Sequence, residues 1–134
     1  MPNPSQQPQP KENRIDRWLT DHLTRVSTVQ KILFVNHLKI MLKAGLSLME
    51  ALNILGNEIE NKKLKKTINE IKEGVSQGQQ LSQMLSLYPK IFPSIYVNMI
   101  SAGEKAGKLE GALEQVTIQM KRSHELTSRI KGAM

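Results

Sequence analysis

The run Leu38-Lys-Ile-Met-Leu-Lys-Ala-Gly-Leu-Ser-Leu-Met-Glu-Ala-Leu52 holds two apolar patterns of helical period, broken at Gly45. Thr28 through Lys43 reads as the first strong helix, with Ile32, Leu33, Leu38, Met41 and Leu42 on a wide apolar stripe. Gly45 stops it, because glycine enters a left-handed C-terminal cap without steric cost. Ser47 opens the next helix, and Glu50, three residues on, has capping-box spacing. Leu48, Ala51, Leu52, Leu55 and Ile59 form its buried face. Gly56 is tolerated inside that helix or marks its early end.

The same punctuation continues toward the C-terminus. Asn61 caps a third helix bearing Leu64, Ile68, Ile71 and Val75, and Gly74 and Gly78 close it. A short fourth helix holds Leu81, Met84 and Leu85. Pro89 and Pro93 impose an irregular connection, since each disfavours helix in the residue before it. Ser94 starts a fifth helix with Ile95, Tyr96, Met99 and Ile100. After the small-residue segment Ala102-Gly-Glu-Lys-Ala-Gly107, a last helix runs from about Lys108 to Arg129 on Leu109, Ala112, Leu113, Val116 and Met120. No alternating strand pattern occurs. The expected fold is all-α, a single antiparallel bundle of about six helices.

Upstream, residues 1–12 carry four prolines and read as a disordered Pro/Gln-rich arm. Residues 13–27 read as an amphipathic helix, with Ile15, Trp18, Leu19, His22, Leu23 and Val26 at helical spacing and Arg14, Arg17 and Arg25 on other faces. It either packs Trp18 onto the bundle or offers it to a membrane surface or partner. The N-terminus lacks the apolar segment of a signal peptide. No window approaches the ~18 apolar residues that a spanning helix needs.

At 134 residues the chain allows one domain with a modest core. The 4% aromatic content suits helix-on-helix packing. With no cysteine, disulfides and thiolate metal sites are excluded. A net charge of +7 admits acidic lipids, nucleic acid or acidic proteins as partners, but most basic residues share their segment with acids. The densest group, Lys62, Lys63, Lys65 and Lys66, is a solvated helix face or a docking surface.

Catalytic constellations are not found in the sequence. His22, His37 and His124 have no zinc spacing, and no phosphate-binding Gly-rich loop precedes a Lys-Ser/Thr pair. The spacing Gly103-x-x-x-Gly107 reads as a close helix approach or a turn. Glu50 and Glu104 are the carboxylates to follow. Each has a structural reading, a cap for Glu50 and a hydrogen bond near the bend for Glu104. Brought together across the bundle or a dimer seam, they could hold a divalent cation such as Ca²⁺. No other cofactor is expected.

Four stretches, in order, carry a family resemblance. Residues 38–52 resemble the opening motif of the type II secretion system F domain. Gly78-Gln-Gln-Leu-Ser82 is similar to its Gly-x-x-Leu-Ser step, and Tyr88-Pro-x-x-Phe-Pro93 to its double-proline connection. Met99-Ile-Ser-Ala-Gly-Glu-Lys-Ala-Gly-Lys-Leu109 resembles its most diagnostic stretch, Ala-Gly-Glu-x-x-Gly-x-Leu. The motif residues are Gly45, Glu50, Leu52, Gly78, Pro89, Pro93, Gly103, Glu104 and Gly107.

The resemblance assigns 28–131 to that domain, on the cytoplasmic face of a bacterial inner membrane. It implies an integral membrane platform for type II secretion or type IV pilus assembly, on which an assembly ATPase drives pilins or pseudopilins into a filament. It also implies contacts with other platform proteins and a homodimer or higher oligomer. Arg129-Ile-Lys-Gly-Ala-Met134 is similar to the basic lead-in before the first span. Lys121, Arg122, Arg129 and Lys131 agree with a cytoplasmic flank. The reading from a second class, a basic helical nucleic-acid-binding module, would need Lys and Arg gathered on one recognition face. Dispersed charge argues against it, and no nucleic-acid partner is expected.

Overall fold

The computed structural model describes residues 25–132. Ser27 sets the start of the first helix with a reciprocal cap. Its Oγ accepts the Gln30 amide at 3.2 Å, and its own amide donates to Gln30 Oε1 at 3.0 Å. Six helices follow: α1 Thr28–Lys43, α2 Leu48–Glu58, α3 Lys62–Ser76, α4 Leu81–Leu85, α5 Ser94–Lys105 and α6 Leu109–Gly132. No strand occurs among the described residues, so the chain is the all-α bundle expected from its periodicity.

Each helix packs on the next in sequence, and α6 returns to α1, closing a ring of neighbours. Phe34, Leu38, Leu52, Leu55, Leu64, Ile68, Ile71, Leu81, Leu113 and Val116 are fully buried inside it. Each buried aliphatic or aromatic side chain contributes roughly 1.5–3 kcal/mol before conformational entropy is charged against it. Phe92, from the double-proline connection, tilts its ring against Phe34 at 5.8 Å. A segment without helix is thereby anchored to α1.

Three helix ends share one closure. Gly45, Gly78 and Gly107 have φ of +96°, +96° and +68°, a region that any side chain would strain. After α1, the Gly45 amide donates to the Leu42 carbonyl and the Leu46 amide to Met41, both at 3.1 Å. After α3, Gly78 reaches Val75 and Gln79 reaches Gly74, both at 3.0 Å. After α5, Gly107 reaches Glu104 at 3.2 Å and Lys108 reaches Gly103 at 2.7 Å. All three are Schellman motifs, which satisfy carbonyls that a bare helix end leaves open.

Short turns make the helices alternate in direction, so these three corners share one end of the bundle. The starts of α1 and α3 share the other with the α4–α5 connection. There, Asn61 caps α3 by accepting the Leu64 amide at 2.9 Å and donates to the Arg25 carbonyl at 3.4 Å. Pro93 starts α5, and its carbonyl accepts the amides of Tyr96 and Val97.

Several sequence expectations shift by one helical position. Leu33 is 46% exposed, while its neighbours Phe34 and Val35 are buried, because α1 packs on both α2 and α6. Ile95 is 64% exposed; Val97, Ile100 and Gly103 form the buried face of α5. Gly56 lies inside α2, where a Cβ would come within 2.6 Å of Asn69 Oδ1 on α3. Gly74 lies in the last turn of α3, where its carbonyl accepts the Gln79 amide of the closure, and a Cβ there would overlap the Met84 side chain. The arm over 1–12 lies outside the described residues. So does the amphipathic helix over 13–27, except for Arg25-Val-Ser27, which carry no helix. Among the described residues, no helix is long and apolar enough to cross a membrane.

Candidate functional site at the α5–α6 corner

The small-residue segment does two jobs, one for each glycine. Gly103 is still helical and buried, and a Cβ there would overlap Ala112 Cβ on α6 and lie 3.0 Å from the Lys108 carbonyl. Gly107 has open space around it and is held to glycine by its positive φ. The first lets α5 and α6 approach closely, and the second turns the chain between them. Both readings of the Gly-x-x-x-Gly spacing therefore hold, at different residues.

Glu104 lies between these glycines and reaches a third helix. Its Oε1 accepts the Ser82 amide at 3.1 Å. Ser82 is the second residue of α4, a five-residue helix too short to hold its own N-terminus by propensity. A carboxylate is favoured there by the positive end of the helix dipole. This bond joins the Gly-x-x-Leu-Ser step to the Ala-Gly-Glu stretch across 22 residues of sequence. Lys43, at the end of α1, pairs with Glu114 on α6 at 3.3 Å, and both are nearly half exposed. Leu42, Glu104, Gly107 and Leu109 line a groove of about 660 Å³ beside the corner.

The remaining motif residues occupy other places. Leu52 is fully buried in α2. Ser47 Oγ accepts the Glu50 amide at 3.1 Å, so Glu50 stands in a capped first turn with its side chain exposed. Gly45 and Gly78 close α1 and α3. Pro89 is exposed in the connection, next to Tyr88, whose hydroxyl donates to a Glu70 carboxylate oxygen on α3. Partial burial, the hydrogen bond and the charge of Glu70 push the Tyr88 pKa up to about 12.

Glu50 and Glu104 belong to α2 and α5, which do not pack on each other, so one protomer does not assemble the cation pair. Among the described residues, no cluster of three or more His, Asp or Glu side chains could hold a metal ion. The sequence reading missed Ala112 and Ser82 as the partners of Gly103 and Glu104. Both contacts are tertiary, and neither leaves a local pattern.

No curated protein matches the chain. Residues 34–134 match the family model described as type II secretion system (T2SS), protein F. That span starts inside α1 and takes in every corner and motif residue described above, and the chain belongs to the type II secretion system protein F family.

Proposed function

We propose that this domain is the cytoplasmic interaction module of an inner-membrane platform, coupling an assembly ATPase to pilin or pseudopilin assembly. Its contribution is mechanical. The observation that carries this reading is the α5–α6 corner. A glycine contact, a Schellman turn and the Glu104–Ser82 bond fix the angle among α4, α5 and α6. A relay needs such rigidity, because motion delivered at one surface must arrive at another without being absorbed in between. The ATP chemistry belongs to the partner. In this proposal α6 leads toward the membrane, with Arg129 and Lys131 in its last turn as the basic flank.

The test is a secretion or piliation assay on cells carrying Gly107→Val at normal protein level. The variant is expected to keep membrane insertion and partner ATPase turnover while filament assembly or secretion fails. Wild-type output would show that the corner is only a turn.

A further inference from the structure

Opposite the glycine corners, four cationic side chains from four separate segments meet around one cleft. Arg25 precedes α1, Lys31 lies in the second turn of α1, Lys63 in the first turn of α3, and Lys90 in the α4–α5 connection. The cleft encloses about 500 Å³ over a small apolar floor of Val26 and Ile91, both buried. Its walls are held in place from several sides. Asn61 binds the Arg25 carbonyl at 3.4 Å, Lys31 Nζ donates to the Lys90 carbonyl at 3.5 Å, and the Ile91 amide is bonded to Tyr88 at 3.0 Å.

This arrangement opposes the electrostatics of the fold. Among the described residues, no carboxylate lines the cleft. The two ion pairs found among the described residues, Lys43–Glu114 and Arg129–Glu125, both lie elsewhere. Neither α1 nor α3 has an acidic residue in its first turn, where the dipole favours one; lysines stand near both helix starts instead. Burial lowers the Lys31 pKa, and the like charges of Arg25 and Lys63 lower it further. Like charges gathered on fixed backbone raise the free energy of the empty cleft, and a bound polyanion would offset that cost.

We propose that this cleft binds a phosphate-bearing anion, with Arg25, Lys31, Lys63 and Lys90 as its ligands. Phosphate matches the donor set. The Arg25 guanidinium can grip two oxygens of one phosphate, and the ammonium groups act as point charges around it. The volume suits one or two phosphate groups, and a compact concave cleft does not suit a nucleic-acid duplex, which needs an extended basic stripe. The same chemistry is offered by a soluble diphosphate or by an anionic lipid headgroup. The site is independent of the relay reading, since it shares no residue with the α5–α6 corner.

The experiment is a calorimetric titration of the full chain with inorganic pyrophosphate, beside co-sedimentation with phosphatidylglycerol or phosphatidylcholine vesicles. Lys63→Gln and Lys31→Gln test the cleft; Lys65→Gln removes an equal charge from the same α3 outside it. Saturable pyrophosphate binding, weakened about tenfold by Lys63→Gln or Lys31→Gln and unchanged by Lys65→Gln, establishes a site for soluble phosphate. The same pattern confined to phosphatidylglycerol vesicles establishes a headgroup site. Equal losses from all three variants would mean diffuse charge attraction and overturn the proposal. The absence of binding to either probe would also overturn it.

Discussion

The two ends of this bundle are built on opposite principles. At one end, Gly45, Gly78 and Gly107 turn the chain through the same Schellman closure, and Glu104 ties α5 to α4. At the other, the chain has side-chain caps, two prolines and four cations around a cleft. The glycine end stores its information as backbone geometry, so a change there alters angles. The cation end stores it as charge on fixed backbone, so a change there alters the local field and, under the proposal above, binding. The proposed relay and the proposed ligand site thus share one small core without competing for residues.

The largest effect should come from Gly103→Ala. The new methyl overlaps Ala112 Cβ and crowds the Lys108 carbonyl, neither of which can rotate away. Overpacking of this kind costs about 1–3 kcal/mol, and the upper part of that range is expected in urea unfolding. Gly74→Ala sharpens the contrast at the matching position of α3. There the obstacle is the flexible Met84 side chain from Cγ to Cε, and the helix gains about 0.5–1 kcal/mol of propensity, so the net change should stay within about 1 kcal/mol. Equal costs for the two variants would remove the distinction between a fixed and a yielding neighbour.

Next in size are Gly45→Ala, Gly78→Ala and Gly107→Ala. All three positions have open space around a Cβ, so the cost is backbone strain alone, about 1–2 kcal/mol each. Similar losses at all three would bear out one shared closure, and a silent one would mark a corner that can relax. Glu104→Ala should cost about 1–2 kcal/mol by leaving the Ser82 amide without its acceptor. Faster hydrogen exchange at Ser82 than at Leu113 in that variant is the specific readout.

The smallest effect concerns the proline connection. Tyr88 and Tyr96 are the two tyrosines, so tyrosinate absorbance of Tyr96→Phe follows Tyr88 alone. It should titrate near 12, and Glu70→Gln should lower that value. The unfolded chain releases this proton near 10 while the folded chain keeps it to about 12. The Tyr88–Glu70 contribution is therefore fully present below pH 10 and lost as pH rises through 12.

Much of this was legible in the sequence, for physical reasons. Gly45, Gly78 and Gly107 follow apolar periodic runs, and a left-handed residue is the commonest way to end a helix. Periodicity located each helix but not its rotation. Leu33 and Phe34 are adjacent and both apolar, and only the position of α6 decides which turns inward. Gly103 was visible as a small residue, yet Ala112 was not visible as the reason for it. The run Lys62–Lys66 drew attention by density, while only Lys63 of that run enters the cleft. The cleft joins residues from Arg25 to Lys90, and its one local trace is the missing acid in the first turns of α1 and α3.

In the proposed relay, the close approach of α5 and α6 is what the secretion machinery uses. Secretion or piliation output from cells carrying Gly103→Ala, alone and with Ala112→Gly, at equal protein levels, tests it most directly. Removing the Ala112 methyl reopens the space that the new methyl fills, although the Lys108 carbonyl stays close. Output should fall with Gly103→Ala and largely return in the double variant. Full output from Gly103→Ala alone, or a loss that Ala112→Gly leaves untouched, would contradict the claim.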